Sequence, residues 1–69
     1  MLKVRIKILS GSVKQETREV PEDFTYENLL GSLNINPEIV LVFRNGNPVP
    51  LDENVTPDDV EILRIVSGG

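Results

Sequence analysis

The chain has 69 residues, 11 acidic against 7 basic side chains for a net charge of −4, and neither cysteine nor histidine. A chain this short makes one small domain that buries only about 60% of its unfolded surface, which excludes a spacious cofactor cavity. The missing thiols exclude disulfides and thiolate metal sites, the acidic balance argues against direct nucleic-acid binding, and no apolar run approaches the roughly 18 residues of a membrane span.

Leu2, Val4, Ile6 and Ile8 alternate with Lys3, Arg5 and Lys7, a period of two that describes a half-buried strand with aliphatics on one face and cations on the other. The start reads as this strand, not as a signal peptide, and a soluble cytoplasmic protein is expected. Ser10-Gly11-Ser12 supplies a turn, and Val13 to Val20 reads as the return strand of a hairpin, with Val13, Gln15, Thr17 and Glu19 on one side. After Pro21, Thr25 is placed to cap a helix, with Glu27 in its first turn and Phe24 positioned to staple onto Leu29. Tyr26, Leu29, Leu30 and Leu33 share one helical face; Gly31, about 1 kcal/mol worse than Ala, keeps the helix short and ends it near Leu33 or Asn34.

Asn36-Pro37 breaks the chain, and Ile39 to Arg44 forms a nearly unbroken apolar run, a strand buried on both faces or exposing one to a partner. Asn45-Gly46 predicts a type I′ hairpin turn, and the return strand Pro48-Val49-Pro50-Leu51 must be short and at an edge because of its two prolines. A polar loop over residues 52–59 follows, with a turn of 3₁₀ helix placed in it and Val55 as its apolar anchor. Val60 to Val66 is the last strand.

A hairpin, one helix and further strands predict an α+β fold: a mixed sheet of four to five strands with one helix packed across one face. With the first and last strands side by side and parallel in the middle, this is the β-grasp arrangement. Residues 1–66 are the domain and 67–69 a C-terminal tail. The tail, Ser67-Gly68-Gly69, leaves a strand and ends in a carboxylate with no side chain around it. Two glycines make a thin segment able to enter a narrow active site; the alternative is a frayed end.

The segment Val60-Glu61-Ile62-Leu63-Arg64-Ile65-Val66-Ser67-Gly68-Gly69, preceded by Asp58-Asp59, resembles the C-terminal signature of the ubiquitin-like sulfur carriers. These are the thiamine-pathway and molybdopterin-pathway carriers (ThiS and MoaD) and their archaeal small-modifier relatives. The Asn45-Gly46 turn followed by Val49-Pro50 also matches that family's spacing; Pro57-Asp58-Asp59 stands where its members usually carry Gly-Asp. The resemblance implies that a partner adenylating, E1-like enzyme uses ATP to activate the Gly69 carboxylate. A sulfur donor then makes a thiocarboxylate for a downstream synthase in a cofactor pathway or for tRNA thiolation. Conjugation to a target lysine through Gly69, as in ubiquitin-like modification, is the alternative, and a β-grasp binding module that is never activated is a third.

The residues agree with a substrate role. Without His or Cys, the Ser, Thr and Tyr side chains lack a neutral-pH base, so the chain is not expected to be an enzyme, nor to bind a cofactor itself. Asp58, Asp59 and Glu61 lack the ligand spacing of a calcium loop and read as a solvated cap. Alternation places Val60 and Ile62 inward and Leu63 and Ile65 outward. Leu41 and Phe43 are assigned to the core, leaving Val42 outward. Leu63, Ile65 and Val42 are the predicted partner contacts, with Lys3, Arg5, Lys7 and Arg64 as a cationic rim or a solvated face; the other reading of these aliphatics is that they complete the core. On its own the chain is expected to be a monomer.

Overall fold

The computed structural model describes residues 1–65. It contains β1 (Leu2–Leu9), β2 (Val13–Val20), α1 (Tyr26–Ser32), a 3₁₀ turn (Pro37–Ile39), β3 (Val40–Arg44), β4 (Asn47–Pro48) and β5 (Asp59–Arg64). The five strands form one sheet in the order β2-β1-β5-β3-β4. β1 and β5 are adjacent and parallel, and the other neighbours are antiparallel. This is the β-grasp arrangement expected from the element order.

The period-two pattern of β1 sets the inner face. Val4 and Ile6 lie on it, Val60 and Ile62 continue it on β5, and Val40 and Val42 on β3. Tyr26, Leu29 and Leu30 of α1 close over these residues, and Val20 and Val55 complete the same buried cluster. Each aliphatic side chain fully removed from water contributes roughly 1.5–3 kcal/mol, so this layer supplies most of the stabilisation available to so small a chain. Val55 is the anchor of its loop, as expected.

A helix of seven residues is too short to stand alone, and it is held at its start by a capping box. The Asn28 N–H donates to Thr25 Oγ1 at 3.2 Å, and the Thr25 N–H donates to Asn28 Oδ1 at 3.1 Å. The loop before β5 runs beside this helix start: Tyr26 N–H donates to Glu53 O at 3.2 Å, and Val55 N–H to Phe24 O at 2.8 Å.

Three local assignments differ from expectation, the last strand spanning Asp59–Arg64 with Ile65 outside it. The 3₁₀ turn falls at Pro37–Ile39 and not in the 52–59 loop, because the Asn36 side chain accepts from the Glu38 N–H at 2.9 Å and Pro37 is preset for the first helical position. The return strand β4 is Asn47–Pro48 and stops short of Leu51, since Pro48 and Pro50 cannot donate to the ladder. The turn between β3 and β4 is the predicted one: Asn45 and Gly46 both have positive φ, 52° and 83°.

Candidate functional site

Register, read strand by strand, defines the open face of the sheet. Val13 of β2 lies opposite Leu9 of β1, Leu9 beside Leu63 of β5, and Leu63 opposite Leu41 of β3. Four apolar side chains therefore form one row across four strands on the side away from α1. Leu41 is 45% exposed, Leu63 36% and Ile65 51%, and Ile65, two residues past Leu63, falls on the same face. Ile65 is tied to the sheet margin by its N–H, which donates to Ile39 O at 2.8 Å. The row lies at the end of β5 from which the chain continues towards Gly69.

Leu63 and Ile65 are where alternation puts them. Val42 is not: it is only 3% exposed and packs in the core, so it leaves the candidate patch, and Leu41 is the exposed β3 residue beside Leu63. Phe43, also assigned to the core, is half-buried on the open face. The cause is the pairing with β5, which places Val42 opposite buried Ile62 and Leu41 opposite Leu63. In an apolar run of this kind either phase satisfies the sequence, and only the partner strand chooses. Leu9 and Val13 were legible but unused, since the β1 alternation puts Leu9 on the cation side and the hairpin carries Val13 to it.

Below the apolar row the same face is charged and largely self-neutralising. Arg5 Nε meets Asp59 Oδ1 at 2.7 Å, Lys7 lies beside Glu61 in register, and Lys3 opposite Glu19. The cations thus alternate with acids and do not form a uniform positive rim. Arg64 belongs to the other side: it sits opposite inward-facing Val40 and lines a cleft with Ile8, Asn34, Asn36 and Ile39.

At the opposite pole, two clusters fix the turn and loop that precede β5. Arg44 Nη1 donates to Glu53 Oε2 at 2.6 Å and lies 3.5 Å from the Tyr26 hydroxyl, which satisfies the polar end of a fully buried ring. Those hydrogen bonds raise the Arg44 pKa further. Thr56 Oγ1 donates to Asp58 Oδ2 at 2.6 Å; this bond, with a further one from Asn45, holds the Asp58 carboxyl below its ordinary range. Asp58 and Asp59 are therefore engaged with different neighbours. Among the described residues no three acids gather as a metal site, and no helix is long and apolar enough to cross a membrane. Ser67, Gly68 and Gly69, the predicted tail and attachment point, lie outside the described residues.

The family model for small archaeal modifier protein 2 matches residues 2–66. The chain belongs to that family. It is 41% identical over 59 residues to small archaeal modifier protein 2 of Haloferax volcanii, covering 83% of this chain and 89% of that one. It is also 37% identical over 68 residues to a protein of Archaeoglobus fulgidus, covering 99% of this chain and all of that one. Among solved structures, a ubiquitin of Caldiarchaeum subterraneum superposes with a TM-score of 0.73 at 17% identity, covering 99% of this chain and 98% of that one. SAMP1 of Haloferax volcanii gives 0.70 at 21%, covering 97% of this chain and 99% of that one. These likenesses show a ubiquitin-like β-grasp fold. Small archaeal modifiers act in ubiquitin-like modification and in sulfur transfer, and such proteins generally work with activating enzymes and targets.

Proposed function

We propose that this chain is a sulfur carrier whose Gly69 carboxylate is adenylated by a partner enzyme and converted to a thiocarboxylate. The observation that carries the reading is the conjunction of family membership with a Ser67-Gly68-Gly69 ending that follows a central strand flanked by exposed Leu41, Leu63 and Ile65.

A carboxylate does not react with nucleophiles until its oxygen is made a leaving group. In the proposed first step a Gly69 oxygen attacks the α-phosphorus of ATP, pyrophosphate leaves, and a mixed anhydride with AMP forms. Hydrosulfide from a sulfur donor then attacks the acyl carbon and expels AMP, leaving the thiocarboxylate. All catalytic groups come from the partner; this chain supplies the acyl group and a face to dock. Leu41, Leu63 and Ile65, extended by Leu9 and Val13, are the contacts for the activating enzyme. Burial of such aliphatics supplies affinity without orienting charge, which suits a face whose charges alternate in sign.

The family's dual role makes conjugation the second reading: a lysine amine attacks the same anhydride, expels AMP and forms an isopeptide bond. Incubation of the chain with ATP, the source organism's adenylating enzyme and a sulfide source, followed by intact-mass measurement, tests both. A gain equal to sulfur replacing oxygen supports the carrier; with target proteins added, an Ile65-Val66-Ser67-Gly68-Gly69 remnant left on their lysines after tryptic cleavage at Arg64 supports the modifier. No change of mass with any adenylating enzyme of that organism refutes both.

A further inference from the structure

The two edges of the sheet are protected unequally. β4 is two residues long and contains Pro48, so it offers almost no ladder to a new strand. β2 is eight residues long, pairs with β1 without interruption from Val13 to Val20, and contains neither proline nor glycine. Its outer edge is exposed over nearly its whole length. A straight, unbulged edge of this kind is a template for strand addition unless its side chains forbid it.

The side chains of β2 specify one partner. Lys14, Glu16 and Arg18 lie on the helix side, opposite Ile8, Ile6 and Val4, while Gln15, Thr17 and Glu19 lie on the open face. Lys14 and Arg18 balance Glu16 and Glu19, so the strand is neutral and alternates in sign along one face. When a second copy is laid antiparallel about a two-fold axis through Thr17, Glu16 of each chain faces Arg18 of the other. Gln15 then faces Glu19, Lys14 faces Val20, and Thr17 faces Thr17. Glu16 and Arg18 already touch along the strand, with Arg18 Nε 3.2 Å from Glu16 Oε1. In the pair the four groups close into a ring in which each charge has opposite charges on both sides. A two-fold through Glu16 would instead oppose like charges, Glu16 to Glu16 and Lys14 to Arg18. A two-fold through Gln15 matches Lys14 with Glu16 but pairs only residues 13–17 of the strand.

We infer that β2 is a self-complementary edge through which two copies of this chain join antiparallel about Thr17 into one continuous ten-stranded sheet, with reciprocal Glu16–Arg18 pairs at the seam. The pairing is weak, because exposed ion pairs add little each and cross-strand pairs of opposite charge contribute modestly; dilute chain is monomeric. The seam lies two strands away from β5, so both Leu41-Leu63-Ile65 patches stay available.

Charge reversal with complementation tests this. Sedimentation velocity on the full chain at low salt, raised to about 1 mM, should show the average mass rising towards that of a dimer, and added salt should reverse the rise. Glu16→Arg and Arg18→Glu, each folded by circular dichroism, should each weaken association at least tenfold. An equimolar mixture of the two should restore it, because every cross-seam pair is again of opposite sign. Lys14→Glu should leave it within threefold of wild type. Wild-type chain that stays monomeric to that concentration, a mixture that does not recover, or loss on Lys14→Glu with none on Arg18→Glu would overturn the proposal.

Discussion

Val42 and Leu41 are neighbours of similar chemistry with opposite duties. Val42→Ala removes two methyl groups from a buried site and should cost about 1.5–2.5 kcal/mol in urea denaturation. Leu41→Ser, on the open face, should change stability by no more than about 0.5 kcal/mol yet lower kcat/KM for activation at least tenfold. The reverse assignment of effects would return Val42 to the docking face. Asp58 gives a residue-scale prediction in pH. Its hydrogen bonds from Thr56 and Asn45 hold the folded pKa below the usual value of about 3.9. The resulting stabilisation is present above that value and is lost as pH falls through the lower, folded pKa. Thr56→Val should therefore destabilise the chain at neutral pH, with the gap from wild type closing as acid titrates the carboxyl. A gap that is constant across this range would show that Thr56 contributes only packing.

At the level of elements, the short helix depends on its first turn. Thr25→Ala removes the reciprocal bonds with Asn28 and should cost about 1 kcal/mol, read as a lower urea midpoint with an unchanged slope. The helix was legible because its signals are local: a capping Thr, an acidic first turn, and Tyr26, Leu29 and Leu30 at helical spacing. The hairpin turn was legible for the same reason, since Asn45-Gly46 tolerates two positive φ values in succession. β1 and β5 announced their faces through alternation with charged residues. β3 did not, because Ile39 to Phe43 is apolar at every position and its phase is decided by a contact with β5 some 20 residues away in sequence. The 3₁₀ turn at Pro37–Ile39 could have been found, as Asn36-Pro37-Glu38 carries the same start signal as a helix; the polar 52–59 loop drew the assignment instead. Of the candidate site, Leu63 and Ile65 were readable from their own strand, whereas Leu41 and the row it completes required the sheet.

For the molecule as a whole, the proposed function puts folding, docking and chemistry on different parts of one small domain. The buried layer between α1 and the sheet holds the fold, the open-face row is the proposed contact for the activating enzyme, and Gly69 is the proposed carrier of the acyl group. Deleting Gly69 should accordingly leave the melting temperature unchanged, since the residue lies beyond the last strand, while Leu63→Asp should spare the carboxylate but impair engagement. The most direct test is ATP–pyrophosphate exchange catalysed by the adenylating enzyme with the full chain, the Gly69 deletion and Leu63→Asp compared at equal folded concentration. Robust exchange with the full chain, none with the deletion, and a raised KM with Leu63→Asp are predicted; exchange that persists without Gly69, or its absence from the full chain, would contradict the claim that this carboxylate is the reactive end.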